Sequence, residues 1–327
     1  MRTLCERNDV GGRRGSALVA VFTTIFILSL FALLAGRLLL RDLEWVGLRE
    51  ARLEALAWAE TGLSMAGHPA MERTDPGLNW RSPETGGGYS VTITSEDARL
   101  NPNHIILRGD DQLLRDLFVL WGMDPDQASA YVDCLGDWID EDDLERLNGA
   151  EAETYARMGL PGLPPNRPLR SVSEMAQVLG GEWLEVINPR WAESFSVRAG
   201  GQLDLRDAPA DLIAVSLAIP MDRALRFVEL RNGPDGIPFT EDDPPMETLE
   251  DALLMIGAIG VPDEMLAERV TVNSSNLRIT STGYSGSVRR TIAALVAGSG
   301  AGRSIFWRAE VPSDSADHSH FDEDMLR

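Results

Sequence analysis

Between Arg13 and Arg37 the chain reads RRGSALVAVFTTIFILSLFALLAGR, and no residue from Ser16 to Gly36 carries a charge. A helix needs about 20 apolar residues to cross the hydrocarbon core of a bilayer. This run is long enough. Arg13 and Arg14 precede it, and the positive-inside rule keeps such arginines cytoplasmic. Everything after Arg41 then lies on the far side of the membrane. The ordinary alternative is a cleaved secretion signal, but LLAGR offers a poor small-x-small cleavage site.

The helical pattern does not stop where the charges return. In RLLLRDLEWVGLREARLEALAWAETGLSMAG, residues Leu39, Leu43, Val46, Leu53, Leu56 and Leu63 recur on one broad side. No proline or glycine pair interrupts before Gly67. One helix from Ser16 to about Ala66 is expected, about 75 Å long at 1.5 Å per residue. Half would sit in lipid and half along a soluble domain.

The remainder of the 327 residues is large enough for one big domain or two ordinary ones. The formal net charge is -21, and the four arginines of residues 1–15 leave the rest more acidic still. Such a charge repels phosphate backbones, so nucleic acid is not expected as a ligand. It suits divalent cations. Cys5 and Cys134 lie on opposite sides of the apolar run. Removal of a leader would leave one thiol and no internal disulfide.

Residues 68–88 read as a loop rich in proline, glycine and charge. YSVTITSE alternates Tyr89, Val91 and Ile93 against Ser90, Thr92 and Thr94, the pattern of a half-buried strand. DDQLLRDLFVLWGM is a helix with Asp110 or Asp111 as cap. DPDQASAYVDCLGDWID is another, capped by Asp124 with Pro125 in its first turn. After LDLRDAP come helices from about Pro209, over MDRALRFVELRNG and over TLEDALLMIGAIGV. The turns LNPN and LDLRDAP thus introduce two helical groups, a weak internal repeat. Strands return at ERVTVNSS, NLRITSTGYSG and VRRTIAALVAG, the last two a hairpin around Gly283 to Gly286. Residues 301–327 read as an acidic tail, expected to be disordered, in which SIFWR offers one edge strand.

A short basic leader ending in Gly15, followed by an apolar helix that runs on into an amphipathic one, resembles the N-terminus of type IV pilins and pseudopilins. The stretch DWIDEDDLERLNGAEAETYARMGLPGLPPNRPLRSVSEM resembles one family among them, the minor pseudopilin of type II secretion called general secretion pathway protein K. LDLRDAP stands where that family has an asparagine-rich turn. The resemblance implies an α+β fold, a pilin-like long N-terminal helix on a mixed or antiparallel sheet with a large helical insertion. The expected layout is a leader at 1–15, the membrane and pilin helix at 16–66, sheet parts at 67–100 and 266–300, and the insertion at 101–265.

The resemblance also implies cleavage by prepilin peptidase between Gly15 and Ser16, with methylation of the new amine. Ser16 to Gly36 would span the bacterial inner membrane, with the N-terminus cytoplasmic and the soluble part periplasmic. Partners would be the other minor pseudopilins of I and J type, the peptidase and the inner-membrane secretion platform. The expected function is that of a tip subunit initiating fibre assembly for export of folded proteins. Two departures stand out. The first mature residue is serine, and the fifth is Ala20 where most members carry glutamate. A buried unpaired carboxylate is costly, and a subunit with none above it needs none, so Ala20 points to the tip. Alternatives are a minor pilin of a type IV pilus, or a membrane-anchored periplasmic DNA-uptake protein with helix-hairpin-helix modules. The turn AIPMD lacks the glycines of such a module.

Asp137, Asp140, Asp142, Asp143 and Glu151 crowd one turn, where like charges repel unless something positive neutralises them. Asp140, Asp142 and Glu151 fall at positions 1, 3 and 12 of an EF-hand, but Leu144 and Glu145 stand where that motif needs an oxygen donor and a glycine. It is not an EF-hand. A solvated loop with Arg146 as local partner is the bland reading. The resemblance implies calcium here, with Asp140, Asp142 and Glu151 first and Asp143 and Asp137 after them. A second, weaker candidate is NGPDGIPFTEDDPP, with Asp235, Glu241, Asp242 and Asp243. Trp138 beside Asp137 raises the possibility of a glycosidase, which needs paired carboxylates across a sugar cleft. A tryptophan at a helix end is more often core, and no nucleophile or phosphate-loop motif is present, so no enzyme is expected.

Overall fold

The computed structural model describes residues 12–68, 70–257, 266, 268–298 and 304–311. Helix α1 runs unbroken over Gly12–Ala66. Its segment Leu18–Leu38 is long and apolar enough to cross a membrane, and none of it is buried against the protein. Two of the hydroxyls there, those of the threonines, are satisfied within the helix: Thr23 Oγ1 donates to Val19 O at 2.7 Å and Thr24 Oγ1 to Ala20 O at 2.5 Å. That removes the cost of placing a free hydroxyl in hydrocarbon. Gly15 and Ser16 lie at the start of this helix.

The last third of α1 packs on a sheet, through a face that shares only Leu63 and the half-buried Leu56 with the leucine spacing. Ala55, Ala59, Leu63 and Ala66 are buried, whereas Val46 and Leu53 are exposed together with Trp45 and Leu48. Small residues win because they let the helix approach the backbone of the sheet. At Gly283 any side chain would collide with the main chain of Ala55 and Ala59. The larger apolar side chains are thereby left pointing outward.

Strand β1 covers Asn79–Arg81, inside the stretch expected to be loop. β2 covers Gly88–Ser95, and its alternating burial is the one expected of YSVTITSE. The chain then leaves the sheet and builds α2 (Pro102–Leu107), α3 (Asp111–Leu120), α4 (Pro125–Ile139), α5 (Ala152–Arg157) and α6 (Glu182–Ile187). β3 (Leu203–Asp204), α7 (Ala210–Ser216), α8 (Met221–Arg231), α9 (Leu249–Ile256) and β4 (Val270–Thr271) follow. It returns as β5 (Asn276–Ser285), β6 (Val288–Ala297) and β7 (Ser304–Val311).

The sheet order is β1-β2-β5-β6-β7, antiparallel throughout. β2 and β5 are neighbours, so the whole helical region is an excursion between two adjacent strands. β5 and β6 form the expected hairpin, closed at Gly286 with φ +57°. One reading needs correcting. VTVNSS does not join this sheet; only Val270 and Thr271 are strand, and they pair in parallel with β3 inside the helical region. Residues 304–311 form the edge strand that SIFWR offered, and the rest of the expected tail, 301–303 and 312–327, lies outside the described residues.

Among the described residues there are two apolar cores. One joins α1 to the sheet through Leu63, Tyr89, Val91, Ile279, Ile292 and Val296. The other fills the helical region around Phe118, Tyr131, Leu135, Trp138, Phe195 and Phe227. The repeat seen in the sequence has a physical form. Leu100 bridges Phe195 in parallel, and β3 pairs with β4 in parallel, so each helical group is closed by a strand contact near its start and end.

A charged network ties the helical region to the sheet. Glu96 is fully buried and accepts from Arg278 at 2.6 and 2.9 Å, while Arg99 stands 3.6 Å away and Ser196 Oγ also donates to it. Burial alone would raise this carboxyl, but the hydrogen bonds and charge of Arg278 bring it below the ordinary value. Asp97 accepts from Gly200 N at 2.6 Å and Ser274 Oγ at 2.7 Å. Asp207, from LDLRDAP, pairs with Arg73 and accepts from Ser95 N at 2.5 Å.

Candidate functional site

The acidic turn is built on the C-terminus of α4. Pro125 occupies the first turn of that helix and Asp124 accepts from Asp126 N and Gln127 N, as expected. Burial of Ala128, Val132, Leu135 and Ile139 orients the helix. Trp138 is buried against Tyr155, with ring centroids 5.9 Å apart. That makes it a core residue rather than a wall of a sugar cleft.

Asp137 therefore faces the loop from a fully buried position. Its carboxylate accepts from Arg146 N at 3.3 Å and from Ala150 N at 2.8 Å, which folds residues 140–150 around it. A side chain at Gly149 would occupy the space of Asp137 Oδ2, so the close approach needs a glycine. Asp133 adds bonds from Asn148 N at 3.2 Å and Asn148 Nδ2 at 3.0 Å. The Arg146 side chain turns inward. It lies 2.7 Å from Asp111, 3.5 Å from Asp137 and 3.5 Å from Asp140.

This one cation does not satisfy the cluster. Glu151 is 6% exposed, and neither of its carboxylate oxygens has a hydrogen-bond partner. Asp140 Oδ1 and Asn166 Oδ1 are also buried without partners. Burial, then Asp137, Asp140 and Asp143, push the Glu151 carboxyl up to about 7. Asp137 is pushed up to about 6, mainly by burial and against the bonds from Arg146 N and Ala150 N. Asp140 is raised by burial, with Arg146 opposing.

The five candidate residues thus separate. Asp137, Asp140 and Glu151 share a desolvated, electronegative site. Asp142 lies outside it, spending Oδ1 on Leu144 N at 2.9 Å. Asp143 accepts from Asn166 Nδ2 at 3.0 Å. Asn166 itself was missed from the sequence. It holds the left-handed φ of +45° and bridges Asp142 O and Asp143. Among the described residues no three carboxylate, imidazole or thiolate groups form a ready-made cage. What the site offers is a set of oxygens without donors. Hard divalent cations take such oxygens from carboxylates, amides and carbonyls together.

The second loop behaves differently. Asp235 Oδ1 accepts from Ile237 N at 2.7 Å, and Asp242 accepts from Thr240 Oγ1 at 2.7 Å and Asp235 N at 3.1 Å. Asp243 Oδ2 accepts from Phe239 N at 2.5 Å. Asp242 is held below its ordinary value by Thr240 and then by Asp235 N. Only Asp243 Oδ1 is left buried and unpartnered, and Glu241 is exposed. These carboxylates mostly tie their own turn.

Residues 98–187 match the family model described as type II secretion system, protein K. This part of the chain resembles that family. It contains α2 to α6 and the whole acidic turn. The chain is 30% identical over 192 residues to type II secretion system protein K of Klebsiella pneumoniae, covering 51% of this chain and 58% of that protein. It is 38% identical over 69 residues to the protein of the same name from Dickeya chrysanthemi, covering 21% of this chain and 18% of that one. The chain therefore spans just over half the length of the fuller relative. A solved chain from the GspK-GspI-GspJ complex of enterotoxigenic Escherichia coli shares the fold. Its TM-score is 0.60 at 17% identity, over 84% of this chain and 100% of that one. The protein K resemblance read from the sequence is borne out, and so is the α+β class.

Proposed function

We propose that this chain is a minor pseudopilin at the tip of the type II secretion pseudopilus, where it initiates fibre assembly with I- and J-type minor pseudopilins for the export of folded proteins. The observation that carries this reading is α1. Its apolar part is bare of protein contacts, its last third is clamped on a sheet, and the two are one helix. A cleaved signal would have no reason to continue into the core of the mature domain. Above the span, Trp45, Val46, Leu48 and Leu53 remain exposed, an apolar surface free for neighbouring helices. The protein K domain on the head favours the tip over a type IV pilus.

In this reading prepilin peptidase cuts between Gly15 and Ser16, and the new amine is methylated. The segment Ser16 to Gly36 holds the subunit in the inner membrane, beside the secretion platform, before it enters the fibre. The acidic turn binds calcium through Glu151, Asp140 and Asp137, with Asn166, Asp142 and Asp143 at its edge. When bound, the ion would supply the positive charge that Glu151 lacks. Arg146 holds the opposite side of the cluster, against Asp111.

The test is the intact mass of protein extracted from membranes of a secreting strain. Loss of the fifteen residues through Gly15 is expected. A mature chain starting after Arg37 would show ordinary secretion and end the proposal. Site-directed crosslinks from Trp45 and Leu53 to I- or J-type subunits are expected in the same cells. Crosslinks to a pilin of a type IV pilus would favour that machine instead.

A further inference from the structure

The protein is electrically lopsided. Residues 101–265 hold 32 acidic and 12 basic side chains, so they account for nearly all of the net charge of -21. Within this region one segment combines charge with apolar exposure. In the loop after α4, Leu144 is 77% exposed and Leu147 is 94% exposed. Glu141, Asp142, Asp143 and Glu145 surround them in sequence and are all exposed. The single cation of the loop, Arg146, is turned inward onto Asp111, Asp137 and Asp140. Among the exposed residues of the loop, only Asn148 is neither leucine nor carboxylate.

The loop is also held rigid. Asp137 pins Arg146 N and Ala150 N, Asp142 pins Leu144 N, Asp133 pins Asn148, and Asn166 ties Asp142 and Asp143 to the following segment. A flexible acidic loop would fold its leucines back on itself. This one displays them at no further ordering cost, which is what a preformed recognition surface does.

We propose that the loop Glu141–Asn148 docks a cationic amphipathic helix of a partner protein, whose apolar face covers Leu144 and Leu147 while its lysines or arginines meet the four carboxylates. Charge complementarity decides the occupant. An apolar partner would strip water from the carboxylates without pairing them. An anionic lipid surface would be repelled by a region this acidic. A helix with basic residues flanking an apolar stripe satisfies both halves of the patch. The inference does not depend on the fibre reading, because it concerns the isolated subunit in solution.

Charge alone would draw any polycation to this protein, so the test separates the apolar term. The full chain is placed in nanodiscs of neutral phosphatidylcholine and titrated against two surface-tethered peptides. One is an amphipathic leucine-lysine helix and the other has the same lysines with serine for leucine, with empty nanodiscs as reference. The native chain is expected to prefer the leucine peptide by roughly tenfold. The double variant Leu144→Ser with Leu147→Ser should lose that preference, while keeping its melting temperature and its weaker, salt-sensitive binding to the serine peptide. Glu141→Gln with Glu145→Gln should weaken both peptides. Equal binding of the two peptides by the native chain would overturn the proposal. So would a preference that survives in the leucine variant, or leucine-dependent binding to phosphatidylglycerol vesicles.

Discussion

Glu151 gives the sharpest handle on the acidic turn, because the structure predicts opposite effects of one substitution in two buffers. Glu151→Gln keeps the shape and removes the charge. In metal-free protein the carboxylate is 6% exposed, has no donor, and its carboxyl is pushed from the ordinary 4.5 up to about 7. A shift of that size corresponds to about 3 kcal/mol, and water access at the loop reduces it to roughly 1–2 kcal/mol. In chelator, at mildly alkaline pH, the glutamine variant is therefore more stable than the native chain. At about 2–4 °C per kcal/mol the gain is a few degrees in melting temperature. The sign follows from the direction of the shift. A raised carboxyl costs nothing while it is protonated in both states, and the cost grows as pH rises from 4.5 through about 7. The advantage of the variant should vanish in acid. Saturating calcium reverses the order: at about 100-fold over its Kd an ion bound only to the folded state adds about 2.7 kcal/mol. The native chain gains this and the variant does not. Near-ultraviolet circular dichroism on the full chain in neutral detergent reads both arms. A variant less stable than the native chain in chelator, or equal calcium responses, would refute the reasoning.

Other expectations concern the joints of the molecule. Arg278→Met leaves Glu96 buried without its two-pronged partner and should cost about 3 kcal/mol in urea unfolding. Because the Glu96 carboxyl sits below its ordinary value, this contribution is present above about 4.5 and is lost as pH falls through the folded value; the native and variant unfolding curves should converge in acid. Gly283→Val forces α1 away from the sheet and should destabilise by about 1–3 kcal/mol, whereas Leu53→Ser, on the exposed face, should leave the melting temperature unchanged. Cys134 is buried beside Asn148 O at 3.5 Å, with its thiol pushed up to about 12 by burial and then by Asp137. In a Cys5→Ser background its labelling by a thiol reagent should be slow with calcium and faster with chelator. All thirty cationic side chains are arginine, so an amine-reactive reagent should modify the chain at its N-terminal amine alone, and peptide mapping locates that end directly.

The long elements were legible because their signals are local. The continuous α1, the alternation of β2, the β5–β6 hairpin and the Asp124–Pro125 start of α4 each follow from neighbours in sequence. The packed face of α1 was legible only at Leu56 and Leu63, because leucine spacing marks the apolar side, and only the sheet reveals that Ala55, Ala59 and Gly283 make the close contact. β1 was too short for any periodicity to show, and ERVTVNSS marked β4 as strand without revealing that its partner is β3 rather than the main sheet. In the acidic turn the carboxylates were visible, but their division was not. Asp137 and Glu151 are buried by the fold of the loop, Asp142 is spent on its own backbone, and Arg146 turns inward. Asn166 carried no signal beyond its place in PPNRPL.

Because α1 has no break between its span and its sheet, the head of the molecule has a compass bearing. Each residue of helix turns what stands above it by about 100° and lifts it by about 1.5 Å. One alanine inserted beside Gly47 would leave span and head each intact and point the acidic turn toward a different neighbour. The azimuth of the head is thus written in the residue count of its stalk.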